Sequence, residues 1–211
     1  MLQQALAPRI LRLDAALRKR HGVFEFSTDR SCIFRAGIES LTRDLELAGG
    51  RKVAAGRRVL DLHLWNERVP PTDGDATLAW GRRISRLIDH SLRLVADFLN
   101  LRSDLADIVG LRARMTLGRT ETTDLLVKLS GRFGFEPVIG ERLSALDRAH
   151  RAGENMLILM LLFAHRNGSV EIGTLWRGQV ITFLPRATLE ARYCTADAHE
   201  TSLRARARKG T

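Results

Sequence analysis

Residues 59–65 read Val-Leu-Asp-Leu-His-Leu-Trp, and the run continues Asn-Glu-Arg-Val-Pro-Pro to residue 71. Strict alternation over seven residues predicts a β-strand, because successive side chains on a strand point to opposite faces. Leu60, Leu62 and Leu64 share one face, and Asp61, His63 and Trp65 share the other. Pro70, Pro71, Asp73 and Gly74 close the segment and offer the best boundary between a β-rich N-terminal half and a helical half.

Upstream, Val23–Phe26, Cys32–Ile38 and Leu41–Leu47 are short runs that read as β, with a turn at Gly49-Gly50 and a loop at Gly56. Before them, Leu2, Leu6, Ile10, Leu13 and Leu17 have helical spacing, limited by Pro8 to the later part. Downstream, residues 76–100 carry a 3.6-period apolar stripe that includes Leu92, Val95 and Leu99, and they predict the first of two long helices. Ser103 caps a short helix ended by Gly110, and residues 111–117 alternate as a strand with Arg112 and Arg114 on its polar side. Thr122 or Thr123 starts a helix to about Gly131. Residues 135–139 read as an edge strand or extended linker, because Pro137 cannot donate to a ladder. A second long helix covers 141–166, with an almost wholly apolar, core-placed C-terminal half. Residues 170–176 and 179–184 form a hairpin, followed by a short helix at 188–193. The expected fold is therefore α+β: one compact domain over residues 1–195 with a β-rich N-terminal half, two long helices and a C-terminal hairpin, and a flexible basic tail at 196–211.

A chain of 211 residues buries enough surface to need no staple. Its two cysteines, Cys32 and Cys194, lie outside any pairing or ligand motif, which fits a reducing compartment and a cytoplasmic location. The N-terminus lacks the uninterrupted apolar stretch of a secretory signal, and its Asp14 and sparse serines argue against a transit peptide. The longest apolar run, Met156–Ala164, is nine residues, against about 20 for a membrane span. Net charge is +10, almost all of the cations being Arg, and basic clusters mark both ends: Arg9, Arg12, Arg18, Lys19 and Arg20, then Arg204, Arg206, Arg208 and Lys209. Such ends suit an anionic lipid or glycan surface, or are simply solvated. Nucleic acid is disfavoured, since one Tyr and three Trp leave little for stacking and no recognition motif is present.

The polar face of 61–67 is the first candidate site. Asp61, His63 and Glu67 place acid and imidazole groups about 7 Å apart along one surface, enough for acid–base catalysis, a polar ligand or a metal. Trp65 and Asn66 are candidate ligand contacts. The competing reading is a half-exposed strand in which Trp65 covers a helix. His150 and Glu154 lie four apart on one helical face, with Asn155 beside them, and form a second candidate ligand set. The zinc-hydrolase HExxH pattern is absent, and Glu154 and Asn155 serve equally well as helix anchors. His165 complements a helix dipole, His21 ends a helix, and His90 is an exposed helix residue beside Asp89. No nucleophile elbow, phosphate loop or dinucleotide fingerprint occurs, and no cofactor is expected.

The order GVFEFS, VLDLHLWNERVPP, RFGFEPV, AHRAGENMLILMLLFAHRNG and FLPRATLEARY resembles the YkoP-like domain family of bacteria, most sharply in LHLWNE at 62–67. The resemblance implies an envelope or polysaccharide context, since some members are joined to polysaccharide deacetylase domains. It carries over no catalytic residue, and this chain has no deacetylase segment of its own. Three functions follow: a non-catalytic binding or accessory module for an anionic ligand; a hydrolase or transferase using Asp61, His63 and Glu67, helped by His150 and Glu154; and a nucleic-acid-binding protein.

Overall fold

The structure is a computed structural model that describes residues 22–70, 77–116, 128–139 and 179–194. Among the described residues, seven strands lie in the sheet order β1-β4-β5-β7-β6-β2-β3. They are β1 (Phe34–Ser40), β2 (Leu45–Leu47), β3 (Lys52–Val53), β4 (Arg58–Leu64), β5 (Gly110–Thr116), β6 (Glu136–Ile139) and β7 (Gln179–Pro185). The described residues also form helices α1 (Leu78–Leu101) and α2 (Arg186–Tyr193), 3-10 turns at Asn66–Arg68 and Ser103–Leu105, and a helical stretch at 128–132. The result is one α+β domain, as the alternating and helical periods predicted.

The pair β4 and β5 is parallel and every other pair is antiparallel. Parallel neighbours need a long crossover, and α1 supplies it between β4 and β5. Register stacks apolar residues into a row, Leu60 beside Leu111 and Leu111 beside Leu184. These pack with Ala36 and Leu62 against Leu92, Val95, Ala96 and Leu99 of α1 and Leu189 and Tyr193 of α2. Each fully buried leucine in this layer contributes about 1.5–3 kcal/mol. On the opposite face, Val59 and Phe183 join Leu41, Leu45 and Leu47 in a second apolar cluster.

Local chemistry explains the element ends. Thr77 caps α1 by accepting from the Trp80 N–H at 3.2 Å, and the Trp80 indole N–H donates to the Pro70 carbonyl at 3.0 Å. The β2–β3 turn needs a positive φ at Gly50, 76°, which glycine adopts without strain.

Several expectations shift. Residues 41–47 yield strand only at Leu45–Leu47, and Val23–Phe26 reduces to one bridge between Phe24 and Ala36. The short helix expected after Ser103 is a 3-10 turn. Residues 136–139 are an interior strand, not an edge: β6 pairs with β7 through Glu136 and Pro137 and with β2 through Val138 and Ile139. The two ladders are offset along β6, and Pro137 takes part as an acceptor, its carbonyl receiving the Ala48 N–H at 2.9 Å. Of the C-terminal hairpin, β7 is seen, while 170–176 lies outside the described residues, as do the first helix, the second long helix at 141–166 and the tail.

Gly110 opens β5 where nothing larger fits. A Cβ there would lie 2.5 Å from the Phe183 ring and 2.6 Å from the Leu184 carbonyl oxygen. A ring can turn, but a backbone oxygen in a ladder cannot. We expect Gly110→Ala to cost about 1–3 kcal/mol, the usual range for overpacking, read as a lower urea midpoint with unchanged m-value. An unchanged midpoint would show that β5 and β7 slide apart freely.

Candidate functional site

The sheet face turned away from α1 carries charge. Alternation puts Asp61 and His63 of β4 on this face, and register sets Asp61 beside Arg112 of β5 and His63 opposite Arg35 of β1. Asp61 is only 1% exposed. A carboxylate so buried needs polar partners to offset its lost hydration. Its Oδ1 accepts from Arg112 Nε at 2.7 Å, while Arg114 Nη2 and His63 Nε2 stand 4.0 and 3.6 Å from Oδ2. Arg112 reaches Glu39 with its other arm. Burial works against the Arg112 charge, but Asp61 and then Glu39 outweigh it and hold the guanidinium protonated beyond its ordinary range. The carboxylate thus serves as counter-ion to Arg112, and the 3.6 Å separation from His63 is longer than a hydrogen bond.

The polar face does not run on to residue 67 as an extended segment. Strand β4 stops at Leu64, which is 51% exposed, and the chain turns. Trp65 donates its N–H to the Ile33 carbonyl at 2.7 Å. Its buried indole lies between two guanidinium groups, Arg35 at 4.0 Å and Arg68 at 3.3 Å from the ring centre. Arg68 also donates to the carbonyls of Asp29 and Cys32, at 2.6 and 3.3 Å, which binds the turn to the 29–32 loop. Glu67 therefore sits on the 3-10 turn, 3.8 Å from Arg35, and not in line with Asp61. Trp65 acts as the filling of this stack. The Asn66 side chain and all of His150, Glu154 and Asn155 lie outside the described residues.

A cleft of about 560 Å³ opens on the helix layer, beyond the sheet from Asp61. Its helical wall comes from α1 positions 86, 89, 90 and 93, which share one face by their three-, four- and seven-residue spacing and stand opposite the core stripe. Arg132 and Phe133 form the facing wall. That wall is tied to α2: the Arg132 carbonyl accepts from Arg192 at 2.9 Å and the Phe133 carbonyl from the Tyr193 hydroxyl at 3.1 Å. Arg93 is neutralised by Asp89, with contacts of 2.9 and 3.1 Å. His90, expected to be a plain exposed residue, is half-exposed and has a partner: its Nε2 meets Asp29 Oδ2 at 2.8 Å. The Ser31 backbone N–H and then His90 hold the Asp29 carboxyl below its usual range. Arg86 makes one long contact, 3.4 Å to the Arg82 carbonyl. Among the described residues neither Arg86 nor Arg132 has an ion-pair partner, and both are exposed.

Sequence reading missed Arg112, Glu39 and the cleft arginines as site residues. The Arg112/Arg114 alternation marked a polar strand face, and the 86-90-93 spacing marked a polar helix face, but neither signal names a partner. Among the described residues no group of three or more His, Cys, Asp or Glu could hold a metal, and no helix is long and apolar enough to cross a membrane. No family model, curated protein or solved structure matches the chain.

Proposed function

We propose that this chain is a non-catalytic binding module for an anionic ligand, with the α1 cleft as its site. The observation that carries the reading is the pair of exposed guanidinium groups, Arg86 and Arg132, lining one cleft from two elements with no carboxylate assigned to either among the described residues. Guanidinium forks in a concave site favour oxyanions by charge-assisted, paired hydrogen bonds. The hydrolase or transferase reading draws less support, because Asp61 is committed to Arg112 and Glu67 stands on another element. The setting in bacterial envelope or polysaccharide metabolism rests on the YkoP-like resemblance of the sequence, and a role for the basic ends at a lipid or glycan surface rests on their charge.

Calorimetric titration of the full chain with phosphate, citrate and glucuronate tests the proposal. At least one should bind, weaken as salt rises, and lose about tenfold or more in affinity in Arg132→Ala, the value of one charge-assisted hydrogen bond. Loss of binding in His63→Ala with Arg132→Ala unaffected would move the site to the strand face and overturn the proposal.

A further inference from the structure

We infer that the ligand of the α1 cleft is a phosphomonoester, its dianionic phosphoryl group held between Arg86 and Arg132 and its organic body against Phe133. The inference rests on the cleft's being the anion site. Three observations narrow the class. First, Arg93 and Asp89 cancel each other, so among the described residues the cations left to be matched are Arg86 and Arg132. Two charges offered from two walls are best met by one group carrying two charges, and a phosphomonoester carries about −1.5 to −2 near pH 7. A carboxylate, a sulfate ester or a phosphodiester carries only one. Second, the Asp89 carboxylate stands on the same wall between Arg86 and Arg93, which discourages a polyanion laid along the helix and suits a single anionic head. Third, the cleft is open to solvent, which suits a small anionic head entering from outside more than an enclosed ligand. The half-buried Phe133 ring supplies an apolar surface for the esterified body. The Ser85 hydroxyl adds a hydrogen-bonding group to the lining.

The test compares phenyl phosphate with phenyl sulfate, which share a shape and differ in charge, by calorimetry on the full chain. Phenyl phosphate should bind about tenfold or more tighter. That preference should vanish in Arg86→Ala and in Arg132→Ala and persist in Arg82→Ala, an exposed helix arginine that does not line the cleft. Equal affinities that both depend on Arg86 and Arg132 would overturn the phosphomonoester assignment and leave the anion site standing. No binding of either compound would overturn the phosphomonoester assignment, the anion site then standing or falling with phosphate, citrate and glucuronate, unless vesicles containing phosphatidic acid capture the protein while phosphatidylglycerol vesicles do not; that outcome supports the phosphomonoester and places it on a lipid headgroup. A preference that survives in both cleft variants would overturn the site.

Discussion

Replacing Arg112 with alanine is expected to destabilise the fold by about 3–5 kcal/mol, the cost of leaving a buried carboxylate without its counter-ion. Asp61 lies under the opposite face of the sheet from α1, 1% exposed, and its strongest contact is the 2.7 Å bond from Arg112 Nε. Without that group Asp61 keeps only the more distant Arg114 and His63, at 4.0 and 3.6 Å, and Glu39 loses Arg112 as well. Against a typical total of about 5–15 kcal/mol, such a loss threatens folding outright, so a second variant keeps the prediction testable. Asp61→Leu combined with Arg112→Met removes both charges while keeping bulk, and should recover much of the loss, as replaced buried ion pairs do elsewhere. Urea unfolding of both variants gives the comparison. A loss below about 1 kcal/mol in Arg112→Ala, the range of exposed pairs, would show that solvent already screens the cluster.

Arg186→Ala should be nearly as damaging, at about 3 kcal/mol or more, because several buried acceptors lose one donor together. The Arg186 side chain, 8% exposed as a residue, donates to the Leu105 carbonyl at 2.6 Å, the Leu99 carbonyl at 3.2 Å and the Ile108 carbonyl at 3.5 Å, and its Nε meets Glu190 at 2.7 Å. It thereby satisfies the C-terminal end of α1, where carbonyls have no partner within the helix, and ties the 103–109 connection to the start of α2. Arg186→Lys should recover only part of the loss, since a single ammonium cannot span three carbonyls and a carboxylate. Hydrogen exchange distinguishes this role from simple loss of α2: protection should fall over residues 99–109 as well as 186–193. Exchange confined to α2 would refute the shared anchor.

These two arginines also show why the ionic features of this protein cannot be moved to its function without cost. Arg112 and Arg186 are consumed in holding strands and helix ends, whereas Arg86 and Arg132 are exposed on walls that other contacts already fix. Arginine is the commonest cation of the chain, and only burial and partners sort its structural from its ligand-facing members.

The fold class was legible because its signals are local. Two-residue alternation marked β4 and β5, and the stripe through Leu92, Val95 and Leu99 marked α1 to within about two residues of its ends. Both follow from backbone geometry that repeats along the chain. The Asp61 partner was not legible: Arg112 is 51 residues away and meets it only because a crossover makes β4 and β5 parallel neighbours in one register. Pro137 argued for an edge, but offset ladders let β6 lie inside the sheet. Trp65 and Glu67 continued the alternating pattern in sequence, yet the chain turns at Leu64, where Arg68 stacks on the indole and bonds to the 29–32 loop. The cleft likewise joins α1 to Arg132 across some 40 residues. Periodicity alone assigned faces to strands and helices; which faces meet, and therefore which charges are spent and which remain open, depended on long-range packing that no local repeat encodes.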